Sequence, residues 1–174
     1  MELEGESLVG MPTYRISKKG IGYVPEDYGV FDDLTIEENI KIAMWKRDAE
    51  TLDRCAYVLD LFPDLKFAVH RPAKTLSGGQ RQMLSISRAL VNDNKIILID
   101  EPSKGLAPVV IERLGLALRE ISKEKTILLV EQNFALAWAV TSRYYIINEG
   151  RSVHSGSIKD LIRDKELQAK HLGV

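Results

Sequence analysis

The chain has 174 residues, 45% of them hydrophobic and 28% charged, with a formal net charge of −1. That length allows a sizeable core in one domain, and so balanced a charge gives no global reason to expect a nucleic-acid or anionic-membrane partner. A single cysteine, Cys55, excludes an internal disulfide, no apolar run approaches membrane-spanning length, and His70, His154 and His171 share no metal-ligand spacing.

The first residues, Met1 to Glu6, are too acidic and too short of apolar side chains for a signal peptide, so a cytoplasmic chain is expected. Residues 2–9 read as the end of a strand and a turn, and residues 12–19 as a basic loop. Residues 20–25 read as a short strand stopped by Pro25, with a loop from Glu26 to Phe31 after it. Thr35 and Glu38 have capping-box spacing and predict a helix whose apolar side carries Ile36, Ile40, Ala43 and Met44. A second helix is predicted from about Ala49 to Phe62, ended by Pro63, with Cys55 as a small core residue rather than a nucleophile. Residues 63–75 read as a loop.

Leu76-Ser77-Gly78-Gly79-Gln80 comes next and reads as an anion-binding helix start. Ser77 can cap the helix, Gln80 completes the box three residues on, and the two glycines let backbone N–H groups approach a ligand. Taken alone, the stretch reads equally as an ordinary capped turn before a core helix carrying Met83, Leu84, Ile86, Ala89, Leu90 and Val91. Downstream, Lys95-Ile96-Ile97-Leu98-Ile99 is a continuous apolar run of the central-parallel-strand kind, and it ends in Asp100-Glu101-Pro102. Acids at the carboxyl end of such a strand suit a metal and a water-activating base. Pro108 then opens a helix expected to bury Val110, Leu114, Leu118 and Ile121. Residues 126–130 read as another buried strand, ending in Glu131-Gln132-Asn133. Residues 144–148 and 152–154 read as a hairpin turned at Glu149-Gly150, and Ser157 with Asp160 as a final helix cap. Strands alternating with helices make the chain α/β with a largely parallel sheet.

The LSGGQ stretch followed by an apolar strand tipped with Asp100-Glu101 resembles the ATP-binding subunits of ABC transporters, where the first is the signature and the second is Walker B. Gly22-Tyr23-Val24-Pro25-Glu26-Asp27, Leu34-Thr35-Ile36-Glu37-Glu38-Asn39, residues 103–108 and Val130-Glu131-Gln132-Asn133 are similar, more narrowly, to the ATPase subunit of branched-chain amino acid importers. The resemblance spans essentially the whole chain. It implies a P-loop NTPase-like (ABC-type) sheet, with a helical signature subdomain at about residues 27–90 and an ATPase core with a C-terminal hairpin and helices at 1–26 and 91–174.

By the same resemblance the ligands are ATP and Mg²⁺. Asp100 would help hold Mg²⁺, with Glu26 beside it, and Glu101 would orient or deprotonate the attacking water. Ser77, Gly78, Gly79 and Gln80 would close on the γ-phosphate of ATP held by the other subunit of a head-to-tail dimer. Glu26 stands where a glutamine senses Mg²⁺ and γ-phosphate. Gln132 stands where most relatives carry a switch histidine; its amide cannot become cationic, which implies slow turnover, and an inert polar strand end is the alternative. The implied partners are transmembrane permease subunits, a second ATP-binding subunit and, indirectly, a periplasmic or extracellular solute-binding protein, with the chain peripheral on the inner face of the cell membrane. Nucleic acid is not among them, because neither a coiled-coil insertion nor a basic stripe is present. Residues 27–44 are expected to face the permease with Tyr28 and Phe31 exposed, core packing of Phe31 being the alternative.

Departures from the resemblance stand at Tyr28-Gly29, where basic residues are expected, and at Lys104, where an aliphatic one is expected. No Gly-x-x-x-x-Gly-Lys-Ser/Thr loop occurs in the 174 residues, and the aromatic expected to stack on the nucleotide base is missing too. The sequence reads as starting just past the place for that loop, which predicts little turnover by these residues alone. Two readings follow: an importer ATPase subunit, or a non-catalytic module that lends only its signature to a partner ATPase.

Overall fold

In the computed structural model, which describes residues 2–173, the chain opens with β1 (Glu2–Leu3), β2 (Glu6–Ser7), α1 (Thr13–Ser17) and β3 (Ile21–Val24). Helices α2 (Ile36–Ala43), α3 (Ala49–Leu61) and α4 (Pro63–Phe67), a 3-10 turn (Ala73–Thr75) and α5 (Gly78–Leu90) follow. Then come β4 (Ile96–Asp100), α6 (Pro108–Ile121), β5 (Thr126–Val130) and α7 (Phe134–Val140). The chain closes with β6 (Arg143–Asn148), β7 (Arg151–Ser157), α8 (Ile158–Arg163) and α9 (Lys165–Leu172).

Strands β3, β4 and β5 form a parallel sheet in that order, with β4 in the middle. The register sets Val24 beside Ile99 and Asp100 beside Val130, so the carboxyl ends of all three strands share one edge. Alternation sends Val24, Ile97 and Ile99 into the core together with Leu84, Ile86, Leu114 and Leu118 of α5 and α6. Gly22 lies on this face because Asn94 crosses it: a Cβ there would meet Asn94 Nδ2 at 2.7 Å.

The opposite face corrects the expectation of a fully buried 126–130 strand. Tyr23, Leu128 and Val130 are more than half exposed, because among the described residues β5 ends the sheet and α5 and α6 pack on its other face.

Helix α5 carries the buried stripe that its sequence predicts, and the capping box of Ser77 and Gln80 is present at its start. The box of Thr35 and Glu38 is present at α2. Ile36 and Ile40 of α2 pack into the core, and the fully buried Asn39 accepts from Phe31 N–H at 2.8 Å and donates to Phe31 C=O at 2.9 Å, holding the preceding loop. Three local expectations are corrected. Residues 12–19 include α1, and residues 63–75 include α4 and the 3-10 turn; these pieces are too short to show periodicity in sequence. Ser157 caps α8 alone, accepting from Lys159 N–H, without a box through Asp160. The β6–β7 hairpin turns at Glu149-Gly150, both with positive φ. Among the described residues no helix is long and apolar enough to cross a membrane.

Candidate functional site

Because the three strands run parallel, the residues following each tip are gathered at one edge, where open α/β sheets hold their ligands. Asp100 ends β4, and the Glu101 N–H continues the ladder to Val130 C=O at 2.9 Å. Glu101 itself has φ of +40°, a left-handed backbone uncommon for a residue with a Cβ, which turns its carboxylate out of the strand line. Gln132, just past β5, donates its Nε2–H to Glu101 Oε1 at 2.5 Å. The two residues assigned to the catalytic step by resemblance are therefore in direct contact. Asp100 Oδ2 accepts from the Tyr23 hydroxyl at 3.4 Å, a long bond. Desolvation above all, then Asp100, Asp27 and Glu26, push the Tyr23 phenol above its ordinary pKa.

Glu131 is the residue that sequence reasoning passed over. Its Oε1 accepts from the N–H groups of Gln132 and Asn133, each at 2.8 Å, and its Oε2 from Ser103 N–H at 3.3 Å. One carboxylate thus ties the loop after β5 to the loop after β4. An acid directly after an apolar strand and two residues before the Asn133 cap of α7 is the signal that could have drawn attention to it.

The loop from Ser103 to Ala107 does more than connect β4 to α6. Its Lys104 forms an ion pair with Glu26, the residue expected to sense nucleotide after β3. Glu26, through its hydrogen bond and its charge, holds the Lys104 ammonium above the ordinary lysine range, and Glu101 adds to this.

At the signature, Ser77 Oγ accepts from Gln80 N–H at 3.3 Å and Gln80 Oε1 accepts from Ser77 N–H at 3.1 Å, so the Gln80 side chain is occupied by capping. The N–H groups of Gly78 and Gly79 have no acceptor among the described residues. Gly78 is exposed, with the Tyr28 hydroxyl and Leu106 at ordinary contact distance from where its Cβ would stand. Gly79 departs from expectation: it is buried, and a Cβ there would lie 2.5 Å from Val110 Cγ1. Its missing side chain accommodates α6, whereas Gly78 keeps the open approach.

Tyr28, at φ of +66°, is half-buried instead of exposed and reaches toward Gly78. Phe31 remains 47% exposed but lies under the Arg88 guanidinium, 4.9 Å from the ring centroid, while Arg88 also donates to Gly29 C=O. Arg81 bonds Asp32 at 2.5 Å, so two arginines of α5 clamp this loop to the signature helix.

Mg²⁺ needs only one or two protein carboxylates beside phosphate oxygens and water. Asp100 supplies a hard oxygen donor next to Glu101 and fits that need; Glu26, expected beside it, is turned to Lys104. Among the described residues no three His, Cys, Asp or Glu side chains form a metal cage of their own.

Residues 1–104 match the ABC transporter family. The chain is 39% identical over 172 residues to the high-affinity branched-chain amino acid transport ATP-binding protein BraG of Pseudomonas aeruginosa, covering 98% of this chain and 74% of that protein. It is 37% identical over 177 residues to the probable branched-chain amino acid transport ATP-binding protein LivF of Archaeoglobus fulgidus, covering 99% and 74%. Among solved structures, an ATP-binding cassette of an ABC transporter in its ADP conformation superposes with a TM-score of 0.78 at 20% identity, over 97% of this chain and 73% of that one. The cbiO1 protein of Clostridium perfringens, part of an ABC transporter complex, superposes with a TM-score of 0.79 at 21% identity, over 97% and 70%. The gathered strand tips, the capped LSGGQ helix and these likenesses agree, and the chain belongs to the ABC transporter family of ATP-binding proteins.

Proposed function

We propose that this chain is an ATP-binding and ATP-hydrolysing subunit that powers the uptake of branched-chain or other amino acids. The Gln132–Glu101 hydrogen bond carries the catalytic part of this reading, because it sets a carboxylate base against an amide at the edge where a phosphoryl group would sit. Glu101 takes the proton of the attacking water or orients it, and Gln132 holds Glu101 in place. Asp100 is the Mg²⁺ ligand, and Mg²⁺ when bound offsets charge on the phosphate oxygens. Ser77 and the free N–H group of Gly78 serve the γ-phosphate of ATP on a second ATP-binding subunit, with Gln80 holding the cap that aims them and Gly79 giving α6 its close approach. Residues 27–90 act as the helical signature subdomain. Their loop and helix from Asp27 to Met44, clamped to α5 through Arg81 and Arg88, face transmembrane permease subunits at the inner side of the cell membrane. The names of the Pseudomonas aeruginosa and Archaeoglobus fulgidus relatives support the amino-acid substrate.

The sequence holds no Gly-x-x-x-x-Gly-Lys-Ser/Thr loop, so turnover is measured after such a segment has been joined to the chain. In that protein, Glu101→Gln lowers ATP hydrolysis by about a hundredfold or more. Unchanged hydrolysis would remove Glu101 from the mechanism. In a second reading these residues lend only the signature to a partner ATPase. Mixing the chain with such a partner then raises its turnover, and Ser77→Arg abolishes the rise.

A further inference from the structure

The loop after β3 and the loop after β4 meet in one ion pair, Glu26 with Lys104, formed across 78 residues of sequence. Both partners keep much of their surface in water, with 46% of the Glu26 side chain and 64% of the Lys104 side chain exposed. Such a pair adds little to folding stability. Its larger effect is on the charge at the strand tips. Asp100, Asp27 and Glu26 all act on the Tyr23 phenol, and Glu101 acts together with Glu26 on Lys104, so four carboxylates share this edge with one lysine set among them. A polyphosphate would bring more negative charge to the same place. Lys104 is also a position at which the sequence departs from its resemblance, a cation for an aliphatic chain, and the structure sets it against Glu26, which stands where a glutamine senses nucleotide.

We infer that Lys104 is a positioning residue for nucleotide: it neutralises Glu26 and ties the loop that carries Glu26 to the loop that follows Asp100 and Glu101. The identity of the ligand rests on the ATP reading above; the coupling of the two loops rests on the pair alone. Loss of Lys104 leaves the Glu26 charge uncompensated beside the phosphates, and loss of both restores neutrality.

The test is binding of trinitrophenyl-ATP to the chain joined to a Gly-x-x-x-x-Gly-Lys-Ser/Thr segment, read by fluorescence across a Mg²⁺ series, for K104M, E26Q and the double variant. K104M weakens binding about fivefold at low Mg²⁺. The deficit shrinks as Mg²⁺ rises, because the cation offsets the exposed carboxylate. The double variant binds within about twofold of the unsubstituted chain. Equal weakness in K104M and the double variant, or a K104M deficit insensitive to Mg²⁺, overturns the inference. Should the unsubstituted joined protein bind no nucleotide, the ATP reading fails and the coupling is judged by hydrogen exchange of residues 26–31 without ligand. There K104M and E26Q each speed exchange and the double variant is no faster than either; exchange unchanged by both single substitutions overturns the coupling.

Discussion

A Cβ on Gly79 would stand 2.5 Å from Val110 Cγ1, well inside the distance at which non-bonded carbons rest, so this position is closed by a neighbouring helix before any ligand arrives. Gly79→Ala therefore displaces Val110 and costs about 1–3 kcal/mol in urea unfolding. In a Val110→Ala background the same substitution costs much less, because the obstructing methyl is gone; an undiminished cost would rule out the contact as its cause. The capping role of Ser77 and Gln80 was legible in sequence because all its atoms lie within four residues. The burial of Gly79 was not, since it depends on where α6 arrives after the whole of β4 has been laid down. The same distinction applies to Glu101. Its place after an apolar strand could be read, but neither its positive φ nor its bond to Gln132 has a local signature. Glu131 was harder still, because its carboxylate serves three N–H groups on two loops that only the parallel register brings together.

Among the elements, α2 shows how a short helix is held at its start. Thr35 Oγ1 accepts from Glu38 N–H, and Glu38 Oε2 accepts from both the Thr35 N–H and its hydroxyl, each at 2.8 Å. Those donors hold the Glu38 carboxyl below the ordinary glutamate range. A carboxyl depressed on folding stabilises the native state above its unfolded pKa of about 4.3, and that contribution is lost as pH falls through the folded value. Glu38→Gln keeps an acceptor for the box but does not titrate, so its urea midpoint declines less steeply than that of the unsubstituted chain between about pH 5 and 3. Parallel curves would show that the box carries no charge-dependent stability. One turn further on, Asn39 is fully buried and also donates to Leu34 and Thr35 C=O groups. Asn39→Ala leaves the Phe31 N–H unpaired, takes one of two donors from the Leu34 and Thr35 carbonyls and costs about 1–3 kcal/mol, with the loop from Val30 to Leu34 exchanging its amide protons faster. Both boxes and the strand and helix order were readable from the chain. Helices α1 and α4 were not, since five residues give no periodicity and their starts rest on Pro12 and Pro63.

At the scale of the molecule, the sheet is apolar on both faces but packed on one. The runs 96–99 and 126–130 have the continuous hydrophobicity of doubly covered strands, which is why burial on both sides was expected from them. Only the face bearing Val24, Ile97 and Ile99 meets α5 and α6, and Tyr23, Leu128 and Val130 project from the other, with β5 at the sheet edge. An apolar face next to an unpaired edge favours association between copies in solution. Leu128→Lys places a charge at the centre of that face, at a site already 53% exposed, and should reduce self-association in sedimentation velocity. Its stability changes by less than about 0.5 kcal/mol, as for an exposed position. A loss of about 2–5 kcal/mol, the size expected on disrupting a packed core, would mean instead that Leu128 is covered in the species present in solution. The two outcomes separate an exposed face that causes association from a buried one that sustains the fold, and the sign of the sedimentation shift read beside the unfolding midpoint decides between them.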